Sequence, residues 1–453
     1  MTSKPLLGNS LLAAMLGMLL VGCASQRPLR TPETPVPAHT APETRETPPP
    51  PSSSTAEPAD FWSALRDDFV FARCDSDTTV ASWIRRYSAH PRQLQAEFAR
   101  VLPQMRYVAG LTHAAGIPGE YVLLPWVESN YRALRGKRGK PAGMWQIMPA
   151  TAMELGLRVD RREDARLNLH ESTVAAIRLL QQYQRILGDW RLTTMAYNTG
   201  VYRVKKRFAE SGWPIDAGHA LPEIDVSATT RDHLAKLNAL ACLIREPGDY
   251  GLQLPDPDAA PVVHRVRLAN ALPLALAARI TGGDGKRFAE LNAGILDSAR
   301  PTTQVMVEGD TAAARLRRTA ARMDSRDWTN WQRVALHQPR ALTDFTTGDT
   351  DGSDLLGEVN NLPVDAPLTN GTRVWLPASL AATLPAQVAT LVPVTIPTHR
   401  VVAGDSLWSL ARRFGVRIAE LRAWNQLRGD RLKLGQVLHL APPDDFPLTE
   451  ATD

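Results

Sequence analysis

The stretch Leu123-Leu124-Pro125-Trp126-Val127-Glu128-Ser129-Asn130, followed by Ala142-Gly143-Met144-Trp145-Gln146-Ile147-Met148-Pro149, decides how the rest of the chain is read. Glu128 closes an apolar run that begins at Tyr121. A helix starting near Gly119 places it in the last turn, where apolar neighbours and the negative end of the helix dipole both disfavour a charged carboxylate. The protonated form is then expected to persist towards neutral pH, which is what a general acid needs. Taken alone, Glu128 reads as an ordinary solvated helix-end glutamate. It does not stand alone: downstream, Asp189-Trp190-Arg191-Leu192-Thr193-Thr194-Met195-Ala196-Tyr197-Asn198-Thr199-Gly200 adds an aromatic hydroxyl and an amide ahead of a turn glycine.

Glu-Ser, Gly-Met-Trp-Gln and Ala-Tyr-Asn-x-Gly, in this order, resemble the catalytic domain of the soluble lytic transglycosylase family. The resemblance implies a lysozyme-like α-helical domain with a groove and a reaction that uses one glutamate. Glu128 would protonate the oxygen between N-acetylmuramic acid and N-acetylglucosamine. Once ionised, it would take the proton of the muramic acid C6 hydroxyl, which closes onto C1 as a 1,6-anhydro sugar. By the same carry-over Ser129 orients groups beside the acid, and Gln146 and Met148 line the groove. Tyr197 hydrogen-bonds Glu128, and Asn198 holds a substrate N-acetyl or backbone group. Plain core packing is the commoner fate of residues such as Met148 and Trp145. Two departures from the family pattern stand out: the basic segment Arg132-Ala133-Leu134-Arg135-Gly136-Lys137-Arg138-Gly139-Lys140, and Thr199 where Ala is common. The basic segment is either an attractor for the carboxylates of peptide stems or lactyl groups, or a solvated loop with no ligand.

Outward from this region, the local patterns are helical. Leu94, Phe98, Val101 and Leu102 recur at helical spacing before Pro103. Val174, Ile177, Leu180 and Tyr183 do so in a helix closed by Gly188, and Asp189 is placed to cap the next one. No alternating strand pattern appears between Phe61 and Pro255. Glycoside hydrolysis with water usually employs two carboxylates. None besides Glu128 is embedded in the motifs, although Glu154, Asp160, Glu163 and Asp164 lie near in sequence.

The chain has 453 residues and a formal net charge of +5, enough for two or three domains and too mild a bias to select a partner. Lys4 precedes an apolar run from Leu11 that is too short for a comfortable membrane span and ends in Leu20-Val21-Gly22-Cys23. That tetrapeptide resembles a bacterial lipobox, with residues 1–22 removed and Cys23 acylated. Ala24 after it implies the periplasmic face of the outer membrane, so the expected state is lipid-anchored. Residues 23–58 form a Pro-rich tether that cannot bury a core; at about 3 Å per residue it spans on the order of a hundred ångström. Cys74 and Cys242, on either side of the motifs, are either a disulfide or two buried free thiols. Neither has His or Cys neighbours at metal-ligand intervals, and neither metal nor cofactor is implied. Arg203, Lys205, Lys206 and Arg207 read as a solvated helix face; an exported chain without a nucleic-acid fold signature is not expected to bind nucleic acid.

In the C-terminal half, residues 397–442 contain His399 to Gly415 with a Gly404-Asp405-Ser406 turn, then Trp424-Asn425-Gln426-Leu427 and Gly435-Gln436-Val437-Leu438. This resembles LysM, a small βααβ module that binds N-acetylglucosamine-containing glycans. The resemblance points to Gly404, Asp405, Ser406, Leu407 and Asn425 as glycan contacts, unless they shape the turn and core instead. Leu355–Leu362 and Gly371–Leu376 echo the later part of it, so 331–380 is expected to be a degenerate LysM-like module without the turn. Residues 258–330 resemble the family's connector. The expected fold class is thus mainly α: a lysozyme-like domain over 59–257, then small α+β modules. The expected function is peptidoglycan lytic transglycosylase, with peptidoglycan strands as partner and the cell envelope as location. A water-using muramidase and a non-catalytic wall-binding scaffold are the rival readings.

Overall fold

The computed structural model describes residues 60–440, apart from 75–76, 137–138, 161, 213–223, 297–300, 393–397, 415–416 and 428. Cys23, the leader and the tether lie outside these residues. Up to residue 262 the described residues contain helices and isolated bridges, two within this part and one from Glu163 to Ile295, and the first strand begins at Val263. The helix Pro91–Ala114 buries Leu94, Phe98, Val101, Leu102, Met105 and Val108 along one stripe and runs on through Pro103. A proline there removes one backbone bond at a cost of about 3 kcal/mol, which the buried residues on both sides of it offset. The helix Ala228–Arg245 is buried on every side from Leu237 to Ile244, with Leu234 also buried, and that part lies inside the domain. Leu169–Leu187 ends at Gly188 with φ 71°, and Asp189 then accepts the N–H groups of Arg191 and Leu192 to start Trp190–Thr199.

Two long-range ties hold the chain ahead of the motifs. Glu120 is buried and its carboxylate accepts N–H groups from Val70, Phe71 and Ala72 at 2.7–2.9 Å. Cys74 and Cys242, left open between bond and thiols by the sequence, are joined in a disulfide with Cα atoms 5.7 Å apart.

After residue 262 the same β-α-α-β plan occurs three times. Val263–Pro273 pairs antiparallel with Pro301–Glu308 around the helices Leu274–Thr281 and Gly285–Leu291. Gln332–Leu336 pairs with Arg373–Leu376 around the turn Leu342–Phe345 and the helix Thr350–Asn360, and Ala389–Leu391 adds a third strand beyond residue 380. Thr398–Arg400 pairs with Val437–His439 around Leu407–Phe414 and Ile418–Trp424.

One asparagine does the same job in each module. The Asn292 amide donates to Phe288 O and Met306 O, while its Oδ1 accepts Met306 N–H at 2.8 Å. Asn360 does this with Leu356 O, Trp375 O and Trp375 N–H. Asn425 does it with Leu421 O, His439 O and His439 N–H. The end of the second helix is stitched to the closing strand in all three, including the connector.

The first module also braces the catalytic domain. Asp164 N–H donates to Gly294 O at 2.9 Å, and a Cβ on Gly294 would sit 3.1 Å from the backbone of Asp164 and of Asn168. Arg287 Nη2 donates to Gln104 Oε1 at 2.8 Å. The first two modules share one apolar core, and the third has its own.

Asn292→Ala leaves a buried N–H and two carbonyls without that partner, a cost of about 1–3 kcal/mol for each group left unsatisfied. Hydrogen-exchange mass spectrometry should show Pro301–Glu308 losing protection while the helix Ala228–Arg245 keeps its own. Unchanged protection would mean that the clamp does not hold the strand.

Candidate active site

The segment from Gly119 folds as two pieces, a 3-10 turn Gly119–Val122 and a helix Leu124–Ser129, where one helix was expected. Pro125 has no N–H to continue a ladder and belongs in a first turn. Glu128 still falls in the last turn of the second piece. The helix ends on Asn130 and Tyr131, both left-handed at φ 53° and 60°, and the Tyr131 hydroxyl donates to Val122 O. The Glu128 side chain is 17% exposed, and its Oε1 lies 2.8 Å from His233 Nε2.

His233 was not among the residues picked from sequence. It occupies the same face of the Ala228–Arg245 helix as Leu237, Leu240 and Ile244. A histidine in line with the apolar face of its helix was the available signal, and it is a weak one.

The second motif forms the facing wall. Ala142 and Ile147 exchange backbone hydrogen bonds at 3.2 and 3.0 Å, closing a tight loop. Within it Gly143 has φ 80°, and a Cβ there would stand 1.8 Å from Arg166 O. Trp145 is fully buried and its indole N–H donates to Thr173 Oγ1, so it is a core residue. Gln146 is left-handed at φ 48° and half-buried, with Nε2 donating to Gly143 O at 2.6 Å. Met148 is 46% exposed and so is not a core residue. Arg166 supports the loop from behind, pairing with Asp164 at 2.8 Å and donating to Lys140 O and Ile147 O. The Asp164 backbone in turn meets the first β-α-α-β module.

Ser129 is buried, and its hydroxyl lies 3.0 Å from Met144 O and 3.2 Å from Pro125 O. It ties the Glu128 helix to the wall. Tyr197 departs from the sequence expectation: its hydroxyl donates to Trp145 O at 2.7 Å rather than to Glu128. The tight loop leaves that carbonyl turned towards Tyr197. Burial, with the charge of Glu128 adding to it, raises the Tyr197 pKa well above the usual phenol value and keeps the hydroxyl a donor. Asn198 is exposed, and its Oδ1 accepts from Thr230 Oγ1 at 3.1 Å. A cavity of about 360 Å³, with neither Glu128 nor His233 in its lining, is bordered by Trp83, Tyr87, Trp126, Val127, Asn130 and Lys236.

In the third C-terminal module the five candidate residues divide. The Asp405 carboxylate accepts from His399 Nε2 at 2.6 Å and from Val402 N–H at 2.8 Å, and these bonds hold its pKa below the usual carboxylate value. Leu407 is core and Asn425 is the clamp. Gly404, at φ 90°, and Ser406, which caps the helix through Ser409 N–H, are exposed turn residues. Trp408, not selected from sequence, is 61% exposed beside them.

This arrangement of fold and site falls within a known class. Residues 112–218 match the Transglycosylase SLT domain and residues 399–441 match the LysM domain. It is 28% identical over 390 residues to membrane-bound lytic murein transglycosylase D of Escherichia coli strain K12, covering 85% of this chain and 74% of that one. It is 27% identical over 150 residues to a putative tributyltin chloride resistance protein of Alteromonas sp. strain M-1, covering 33% and 72%. A probable N-acetylmuramidase of Lactococcus lactis subsp. cremoris strain MG1363 is 45% identical over 42 residues, covering 9% and 10%.

Gly143→Ala should destabilise the domain. The left-handed backbone alone costs about 1–3 kcal/mol for a residue with a side chain, and the clash with Arg166 O adds to it. A lowered midpoint of thermal unfolding is expected; an unchanged midpoint would show that the wall can shift to take a methyl group.

Proposed function

We infer that the protein is a peptidoglycan lytic transglycosylase that cleaves the β-1,4 bond between N-acetylmuramic acid and N-acetylglucosamine and leaves a 1,6-anhydro end. The observation that carries the reading is the half-buried Glu128 carboxylate, inside the SLT match, on a helix tied through Ser129 to the loop that carries Gln146 and Met148. Glu128 gives its proton to the glycosidic oxygen as the bond to C1 breaks. The resulting carboxylate takes the proton of the C6 hydroxyl as that oxygen bonds to C1. Atoms balance without water, and Glu128 returns to its acid form.

Ser129 and Tyr197 serve by holding the wall in register with the acid, one at Met144 O and the other at Trp145 O. Gln146, Met148 and Asn198 are the candidates for sugar contact. The LysM module binds glycan through the exposed turn around Gly404 and Ser406 and raises the local concentration of strands at the groove. Peptidoglycan places the protein in the cell envelope. Among the described residues no helix is long and apolar enough to cross a membrane, and we assign membrane attachment to an acyl chain on Cys23, on the periplasmic face of the outer membrane.

Purified sacculi digested with the protein should release anhydro-muropeptides by mass spectrometry. Glu128→Gln should lower the rate by about 10²–10⁴-fold, the usual worth of a general acid. Products heavier by one water would assign the protein to the hydrolases, and sacculus binding without product would leave a scaffold. Cys23→Ser should move the expressed protein from the membrane pellet to the soluble fraction; a variant that stays in the pellet would contradict the anchor.

A further inference from the structure

His233 is a buried titratable group that the reaction as written does not use. It is 6% exposed; Nε2 lies 2.8 Å from Glu128 Oε1, and Nδ1 is buried with no hydrogen-bond partner among the described residues. Its charged neighbours on the same helix are occupied elsewhere. Asp232 accepts the Trp83 indole N–H and pairs with Lys236 at 3.3 Å, and the Lys236 ammonium lies 4.5 Å from the centre of the Trp83 ring. The Tyr197 hydroxyl donates to Trp145 O.

The unpartnered Nδ1 separates the possible proton arrangements. An imidazolium, or a neutral ring protonated at Nδ1, buries an N–H donor with nothing to receive it. The neutral ring protonated at Nε2 leaves only a lone pair unused and points its N–H at Glu128. Orphaned buried N–H groups are the rarer and costlier case. The geometry therefore favours Nε2–H as donor and Glu128 Oε1 as acceptor.

We propose that His233 is the positioning residue of the acid, holding Glu128 Oε1 throughout the reaction and leaving Oε2 as the oxygen that gives the proton and takes one back. This rests on the reading of Glu128 as the acid. In the protonated state the proton is on Oε2 and Oε1 accepts from Nε2–H. As the proton passes to the glycosidic oxygen, negative charge grows on the carboxylate and the His233 bond becomes charge-assisted, roughly twice as strong as before. An interaction that strengthens along the reaction lowers the barrier instead of only tightening binding. The C6 proton then returns to Oε2, and His233 ends as it began. Its own protonation never changes, so it is a donor and not a second acid or base.

The test compares the full chain with His233→Gln, whose amide N–H can stand in for Nε2–H, and His233→Phe, which fills the space with no donor. Anhydro-muropeptide formation is followed over a range of sacculus concentrations, with thermal unfolding in parallel. His233→Phe should lower kcat by about 10- to 100-fold, the worth of one hydrogen bond to a charged group, with KM little changed. His233→Gln should recover most of the loss, and both should unfold within a few degrees of the parent. Parent-like kcat in the Phe variant, equal loss in both, or a loss that tracks lowered thermal stability would overturn the proposal. A second measurement does not depend on turnover. In the ¹⁵N-histidine-labelled full chain, His233 should show the Nε2–H tautomer, and its Nε2 signal should move on Glu128→Gln. An imidazolium or Nδ1–H signal would overturn the assignment even if anhydro product forms. Absence of anhydro product from the parent would count against the enzymatic reading, and the spectrum would still decide the pairing.

Discussion

A half-buried carboxylate needs a donor for its charge, and in this protein the donor comes from a helix 105 residues further along the chain. The contact between Glu128 and His233 requires that the Ala228–Arg245 helix be buried, since an exposed imidazole would have water to bind instead. That burial follows from the apolar second half of the helix, buried from Leu237 to Ile244 and tied by Cys242 to the segment ahead of the motifs. The wall opposite the acid is held just as indirectly. Gly143 lies against Arg166 O, Arg166 is paired with Asp164, and the Asp164 backbone meets Gly294 of the first C-terminal module.

The C-terminal half accordingly plays two parts. The first module is bound into the catalytic domain through the loop after its asparagine clamp. In the third, the turn around Gly404 and Ser406 stays at the surface. One supersecondary unit thus serves as a brace in one copy and, under the proposed function, as a glycan binder in another. The clamp survives in all three because it serves the fold: a buried backbone N–H and carbonyl on the closing strand must find partners, and an asparagine at the end of the second helix supplies both.

Local features were legible in the sequence and long-range ones were not. Glu128 in the last turn, Gly188 as a stop and Asp189 as a cap depend on neighbours within a few residues, and they lie where the sequence puts them. Tyr197 was assigned to Glu128, but the carbonyl it meets is presented by a loop containing a non-glycine residue at positive φ, Gln146, which no residue pattern announces. His233 was hidden because an apolar-face histidine carries no partner's name. The echo of 397–442 in 331–380 was visible through matched glycines and leucines. The same plan in 258–330 was not, because only Asn292 and the helix end before it carry it in the sequence.

The central claim is that one oxygen of Glu128 is held by His233 and the other faces the bond to be broken. A crystal structure of the Glu128→Gln variant with a glycan fragment of alternating N-acetylmuramic acid and N-acetylglucosamine tests it most directly. The expected result is a glycosidic oxygen within about 2.6–3.2 Å of the free side-chain atom of residue 128, the sugar against Gln146 and Met148, and Tyr197 still bonded to Trp145 O. A glycan seated away from this wall, or with its glycosidic oxygen nearest another acidic side chain, would contradict it.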